Sequence, residues 1–481
     1  MSAAPNARQI AKSSFFVTAS YVVAKLSQFI SQIFLARLLS PEDFGIWGMV
    51  LVFTTLSELF QDAAVAGVLV QRGLTDKTLV DAVYSLGVNL SIIMFGVQAL
   101  AGFPLAWIFD QPIVWPLTAV TGLVFLIGAG TGSHHAVLQR QMKFRELAIA
   151  EGFSGLVRLG GAVIAASYGL GVWSFAIAEI ARMMVDAILK RRFSQYHFQY
   201  SFKPDAEAVK NVRGYISSLI GTNLAVYVNT NGDNFIVGKL LGAATLGYYN
   251  MAYQLAMLPL YALSRINTVN FSVLSQKDQQ GQQQYIRKIL ELYSLLAAPI
   301  YGLGFVVAPW LIPLCYGANW VPVVPLFQVV LLFAYSRGFM AILGTALNAL
   351  NKPQINAAIN WVLVPLCIPA FWLSARWGGV MGVAITVAVL MGVGAALWFW
   401  IATAQTAGWH LGRLVQPVVL PTLTTLAVMA AVIDLPFSAD QQWWLQPIVL
   451  VIGYVSILAI ASWGRIPRLV IQVVRQALGK A

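Results

Sequence analysis

The sequence predicts an all-α polytopic membrane protein of about 14 transmembrane helices, built as two six-helix lobes related as a parallel repeat plus two C-terminal helices. Three observations carry that prediction. The 481 residues are 59% hydrophobic and only 10% charged, with a mean hydropathy of +0.73, whereas soluble domains are about a quarter charged. Apolar windows of about 20 residues, long enough to cross a bilayer, follow one another along most of the chain. Residues 33–53, IFLARLLSPEDFGIWGMVLVF, return 202 positions later as FIVGKLLGAATLGYYNMAYQL, residues 235–255.

The windows fall near 12–38, 44–70, 79–103, 115–137, 147–167 and 171–190. After a basic polar segment they resume near 214–241, 245–269, 286–313, 321–348, 354–374 and 380–404, in register with the 202-residue offset. Two more lie near 415–434 and 443–463, which divides the chain into an N-lobe (1–203), a C-lobe (204–405) and a C-terminal pair of helices (406–481). Within the echo, Arg37 answers to Lys239, Phe44-Gly45 to Leu246-Gly247, Trp47 to Tyr249 and Met49 to Met251. Each copy closes an apolar run on a single cation, turns, and opens the next run with an aromatic residue of the interfacial kind. An even number of spans per half brings both halves into the membrane from the same side, which is a parallel repeat of the transporter type. The first window carries Lys25 and is not followed by a small-residue cleavage site, so it is read as a retained helix rather than a signal peptide.

The net charge of +12 acquires its meaning from where the cations lie. Of the 30 Lys and Arg residues, 23 fall in segments on the side of the N-terminus, among them Lys190; three (Arg37, Lys239 and Arg376) fall on the other side, and four lie inside spans. The positive-inside rule therefore puts both termini in the cytoplasm, and anionic lipid accounts for the basic balance without nucleic acid. Loops on the far side are short, and the sequence holds no Asp-x-Asp pair. His134 and His135 are adjacent, about 100° apart on a helix, so they suit packing rather than joint metal ligation. Cys315 is expected in a short loop and Cys367 in a helix, which supports neither a disulfide framework nor a zinc site. No enzyme chemistry, cofactor or metal is expected; transport or passive conduction remains.

Polar residues in the first window form one stripe: Ser14, Thr18, Tyr21, Lys25, Gln28 and Gln32, at helical spacing. The equivalent window of the second half carries Ser218, Thr222, Asn229 and Asp233 on one face, with Asn223 and Asn231 beside it. Such stripes either glue helices together or line a shared polar interior. Ionisable residues inside spans cost roughly 2.5–3.5 kcal/mol on insertion scales and so need partners or a purpose. Lys25, Arg158, Arg337 and Arg182 all fall in the cytoplasmic half by helix rise, and suit an anionic substrate. Arg182 also has Glu179 and Asp186 within its own helix at i−3 and i+4 as alternative partners. Glu58 lies at the depth of Lys25 and can pair with it or take part in ion coupling. Tyr21, Gln28, Gln32, Asn223 and Asn229 are expected to meet sugar hydroxyls. Asp233 either neutralises Lys239, six residues on, or holds a coupling ion with oxygen ligands from Asn360 and Thr386.

Four stretches carry a family resemblance: Ala36-Arg-Leu-Leu-Ser-Pro-Glu-Asp-Phe-Gly45, Leu69-Val-Gln-Arg72, Leu138-Gln-Arg-Gln-Met-Lys-Phe-Arg-Glu-Leu-Ala148 and Tyr316-Gly-Ala-Asn-Trp320. Together they resemble the polysaccharide transporters of the multidrug/oligosaccharidyl-lipid/polysaccharide superfamily, of the Wzx flippase type. The resemblance covers roughly residues 10–400. It implies two six-helix lobes around a V-shaped cavity in the bacterial inner membrane. It further implies a flippase that moves undecaprenyl-pyrophosphate-linked oligosaccharide to the outer leaflet by alternating access, driven by a proton or sodium ion and working beside polymerase and export partners. The rival readings are a cation-coupled multidrug antiporter of the same superfamily, which would prefer an anionic cavity, and a membrane polymerase or glycosyltransferase, which the short external loops disfavour.

Overall fold

Helix starts are written into the sequence as caps. The computed structural model describes residues 29–274, 278–433 and 445–461, with side chains described outside 60–66, 71, 213, 215, 217–220, 222–223, 261–273, 279 and 461. Helix α1 (Phe29–Leu38) leads into α2 (Pro41–Arg72) through a capping box: the Ser40 hydroxyl accepts from Asp43 N at 3.2 Å, and the Asp43 carboxylate accepts from Ser40 N at 2.9 Å. Pro41 at the first helical position costs no hydrogen bond there. Asp76 caps α3 (Lys77–Phe109), Asp205 caps α9 (Ala206–Leu241) and Asp278 caps α11 (Gln279–Tyr316), each accepting from a backbone N–H three residues on.

The window expected at 115–137 is three short helices, α4 (Val114–Thr121), α5 (Leu123–Ile127) and α6 (Thr131–Arg140), with a 44° bend before α6. Gly130 sits at φ +77 in that bend, where a side chain would also meet the Tyr84 ring. Helices α7 (Phe144–Ser167) and α8 (Trp173–Ser194) follow as a hairpin, and the chain then leaves helical geometry until α9. This connecting segment is strapped to α3: Gln199 N donates to Asp81 Oδ1 at 3.0 Å, Ser201 N to Ser85 Oγ at 3.0 Å, and Asn89 Nδ2 to Phe202 O at 3.0 Å.

Beyond α10 (Ala243–Leu274) and α11 come a 3-10 turn at Ala318–Trp320, α12 (Val323–Ala349), α13 (Pro353–Thr386), a π-helical turn at Val387–Gly394, α14 (Ala395–Ala407), α15 (Leu411–Ile433) and α16 (Leu445–Ala461). Cys315 lies in α11 rather than in a loop. The 55-residue helical run Pro353–Ala407 would extend roughly 80 Å if straight. Gly379, at φ 57 and ψ −150, breaks it where the two expected windows meet.

A described helix lies in each of the expected windows. By length and apolarity six described helices are able to cross a membrane, or seven with the bent pair counted as one span. Large apolar side chains such as Leu100, Trp107, Trp377 and Ile460 are exposed, as lipid-facing residues are in a multi-pass membrane protein.

The chain divides into two compact units, Met1–Asn250 and Met251–Ala481. In the first, α2 packs on α3, α6 and α9, and α7 on α8. Buried Gln98 of α3 ties to α2, donating to Thr54 Oγ1 at 2.6 Å and accepting from Ser57 Oγ at 3.1 Å. In the second, α11 packs on α12, α15 and α16. The last two helices are fastened by hydroxyls: Tyr335 to Thr422 at 2.6 Å, and Tyr454 OH donating to Leu295 O at 3.0 Å.

The repeated motif explains itself within the first unit. A methyl group on Gly45 would overlap the carbonyl of Ala243, and one on Gly247 would overlap the carbonyl of Pro41. Adding 202 to 41 gives 243 and adding it to 45 gives 247, so the two contacts are the same contact viewed from either copy. Gly48 meets the side chain of its own counterpart, Asn250. This is the reciprocal pattern of a two-fold contact, drawn here between the starts of α2 and α10.

A charged cavity in the first unit

Three helices each contribute one polar stripe to a cavity of about 530 Å³ in the first unit. From α2 come Trp47, Leu51, Thr54 and Glu58; from α7, Glu151, Ser154, Gly155 and Arg158; from α8, Glu179, Arg182, Asp186 and Lys190. The α2 and α8 sets step by three or four residues and the α7 set falls at i, i+3, i+4 and i+7, so each set lies on one helix face. The α7–α8 turn that aligns the last two stripes uses Gly169 and Gly171, both at positive φ. Ser31 of α1 also reaches the cavity.

Glu179 is the centre of the charge pattern. Its Oε2 lies 3.2 Å from Arg158 Nε, and its Oε1 accepts from Arg182 Nε at 2.6 Å, with Arg182 Nη2 also on that oxygen. One carboxylate thus bridges two guanidinium groups on neighbouring helices. Asp186, the alternative partner expected for Arg182, instead pairs with Lys190 at 2.8 Å. Lys190 is therefore a buried member of α8 rather than a loop cation. Asp186 Oδ1 is buried without a hydrogen-bond partner among the described residues. The described lining carries four carboxylates (Glu58, Glu151, Glu179 and Asp186) and three cations (Arg158, Arg182 and Lys190).

Of the residues singled out in the sequence, Arg158, Arg182 and Glu58 meet at this cavity. Tyr21, Lys25 and Gln28 lie outside the described residues, as does the side chain of Asn223. Gln32 is half-buried on α1, next to the cavity residue Ser31. Asn229 and Asp233 are closed off, at 2% and 1% exposure. Asp233 Oδ2 accepts from the Tyr249 hydroxyl at 2.6 Å and Oδ1 from Asn234 N at 2.8 Å, which ties α9 to the start of α10. Lys239 is not its partner, because Lys239 Nζ pairs with Asp110 at 3.0 Å.

Arg337, Asn360 and Thr386 belong to the second unit. Arg337 is half-buried on α12; Asn360 Nδ2 donates to Asn356 O at 2.8 Å, and Thr386 Oγ1 to Gly382 O at 2.9 Å. His134 packs against Tyr84 and Phe198, with Nδ1 2.6 Å from Ser194 Oγ, as expected of a packing residue. Among the described residues no cluster of three His, Cys, Asp or Glu side chains is placed to hold a metal.

The sequence reading missed Glu151 and the cavity role of Glu179, Asp186 and Lys190. The signal was present, since Glu179, Arg182, Asp186 and Lys190 alternate in sign along one helix face.

Comparison with known proteins fits this architecture. The chain is 24% identical over 409 residues to the lipopolysaccharide biosynthesis protein WzxC of Escherichia coli, covering 82% of each chain. It is 24% identical over 395 residues to the succinoglycan biosynthesis transport protein ExoT of Rhizobium meliloti, covering 79% of this chain and 74% of the relative. Among solved structures, the lipid II flippase MurJ in an inward closed conformation has the same fold, with a TM-score of 0.75 at 13% identity over 93% of this chain and 98% of MurJ. A multidrug-resistance MATE family transporter of the MOP superfamily, in an inward-facing conformation, aligns with a TM-score of 0.59 at 13% identity, over 81% of this chain and 96% of that one. The model of the polysaccharide biosynthesis protein family matches residues 34–325, more than half of the chain, and the chain belongs to that family.

Proposed function

We propose that this protein is a flippase for undecaprenyl-pyrophosphate-linked oligosaccharide, carrying the repeat units of a surface polysaccharide from the cytoplasmic to the outer leaflet of the bacterial inner membrane. The observation that carries the reading is the cavity in which Arg158 and Arg182 converge on one carboxylate inside an apolar-faced helical unit. Guanidinium forks match phosphate oxygens as they match a carboxylate, and away from bulk water such bonds are strong. The names of the Escherichia coli and Rhizobium meliloti relatives, one a lipopolysaccharide biosynthesis protein and the other a transport protein of succinoglycan biosynthesis, support the substrate class. Lys25 and Arg337 are assigned to the anionic group of the substrate as well; Tyr21, Gln28, Gln32, Asn223 and Asn229 are assigned to the sugars. The protein acts by alternating access between a six-helix N-lobe (1–203) and C-lobe (204–405), without making or breaking covalent bonds. Transfer of such a lipid between the leaflets of proteoliposomes containing the purified chain is the test, and absence of transfer sinks the reading.

Fourteen spans follow from the apolar windows, and cytoplasmic termini from the loop cations. An alkaline phosphatase fused after residue 481 is then inactive and a fluorescent protein bright; the opposite pattern overturns the orientation.

Ion coupling is assigned to Asp233, Glu58, Asn360 and Thr386, the last two as oxygen ligands. Asp233→Asn keeps an oxygen for the Tyr249 hydroxyl but removes the charge. Transport by this variant is expected to lose its dependence on the ion gradient while substrate binding survives. Gradient-dependent transport at the wild-type level in proteoliposomes leaves Asp233 with a packing role alone.

A further inference from the structure

We propose that Glu179 is a resident counter-ion that an incoming phosphate anion must displace from Arg158 and Arg182, so that this carboxylate sets how tightly the anion is held and how readily it leaves. The inference rests on the flippase reading and deepens it, because it gives the cavity a release device.

The geometry has three parts. Each oxygen of Glu179 is occupied by a different arginine, Oε2 by Arg158 of α7 and Oε1 by Arg182 of α8. Both arginines line a cavity of about 530 Å³, within the range of about 300–1,000 Å³ usual for small-ligand sites, so a phosphate group has room to approach them. The side chains remain partly accessible, Arg158 at 33% and Arg182 at 26%, against 16% for Glu179. An anion entering the cavity therefore reaches the guanidinium groups where Glu179 also lines it, and competes with that carboxylate for their N–H donors.

Two half-buried arginines side by side without a counter-ion are costly, so an empty site needs Glu179 where it is. Once a phosphate oxygen takes its place, the carboxylate is left in a cavity also lined by Glu58, Glu151 and Asp186, the last of them about two turns further along its own helix. Like charges at such range repel. That repulsion drives Glu179 back onto the arginines and weakens the hold on the ligand. A carrier must bind its cargo and also give it up, and a built-in competitor makes the second step possible without a change in the arginines themselves.

The test compares affinity with turnover in the full-length protein. Binding of inorganic pyrophosphate, and separately of a polyprenyl pyrophosphate in nanodiscs, is measured by calorimetry for the wild type, Glu179→Gln, Arg158→Gln and Arg182→Gln. Glu179→Gln is expected to bind at least about tenfold more tightly, equivalent to 1.4 kcal/mol, and to translocate the lipid-linked substrate more slowly. Opposite changes in affinity and turnover are not produced by a residue that only holds two helices together, since loosening them would lower both. Tightening toward both probes identifies the phosphate groups as the ligand; tightening toward the lipid alone adds the polyprenyl chain to the determinants. If the glutamine variant does not insert, Glu179→Asp carries the test, because a carboxylate shorter by one methylene cannot span both arginines and is expected to tighten binding in the same direction. If the arginine variants weaken binding and neither Glu179 variant tightens it, the counter-ion role is wrong and the anion site stands. If the arginine variants bind both probes as the wild type does, the anion site falls and the counter-ion role falls with it.

Discussion

Gly45→Ala is expected to destabilise the protein by about 3 kcal/mol, at the upper end of what overpacking costs, because the added methyl meets main chain rather than a side chain that can turn aside. The carbonyl of Ala243 occupies the space where the new Cβ would lie, so the starts of α2 and α10 must separate. Gly247→Ala imposes the same separation from the other copy, against the carbonyl of Pro41. The two substitutions act on one crossing, so their effects are expected not to add: once the helices have been forced apart, the second methyl costs less than the first. Thermal unfolding of the purified protein, followed by intrinsic fluorescence for the two single variants and the double variant, measures this. Unchanged unfolding temperatures in the single variants would contradict the close approach, and strictly additive losses would contradict the shared crossing.

Arg182→Gln is expected to lower translocation of the lipid-linked substrate by at least about tenfold, with Arg158→Gln close behind it. A hydrogen bond to a charged group is worth about 1.5–3 kcal/mol, which corresponds to roughly 10–100-fold in rate if it is made as the substrate is carried. The larger effect is assigned to Arg182 because it holds Glu179 through two nitrogens and is the less exposed of the pair. Either single variant leaves Glu179 with one arginine, so folding is expected to survive, and the unfolding temperature measured alongside separates lost transport from lost protein. Lysine at either position restores the charge but not the planar fork and is expected to recover only part of the rate. Full activity of both glutamine variants at wild-type expression removes these arginines from the substrate path.

The helices were legible because composition dominates their formation. An apolar stretch of bilayer length has few alternatives, and the capping residues Ser40, Asp76, Asp205 and Asp278 mark their starts. The repeat was legible for a comparable reason: two glycines spaced 202 apart survive in a diverged motif where each must admit the other copy's main chain. The break before α6 was not legible, since glycines inside an apolar window are common in membrane helices and hydropathy does not distinguish a straight helix from a bent one. Arg158, Arg182 and Glu58 were found because a charge inside an apolar run stands out. The Arg182–Glu179 pair was legible from its i, i+3 spacing, but the sharing of that carboxylate with Arg158 was not, because it is decided by how α7 packs on α8 rather than by spacing along either helix. Lys190 was assigned to a loop because a cation next to Arg191 and Arg192 reads as the end of a span, whereas its side chain turns back one helical turn to Asp186. The Asp233–Lys239 pairing failed for a similar reason, as Asp110 at the end of α3 and Tyr249 at the start of α10 are distant in sequence from both.

The measurement closest to the central claim is movement of a fluorescent undecaprenyl-pyrophosphate-linked oligosaccharide between leaflets of proteoliposomes, read by quenching of the outward-facing label with a membrane-impermeant reductant. Wild-type protein is predicted to make label from the inner leaflet accessible to the reductant faster than protein-free vesicles do, and Arg182→Gln to approach the protein-free rate. Equal accessibility with and without the wild-type protein, in vesicles where the chain is inserted and folded, would contradict the account.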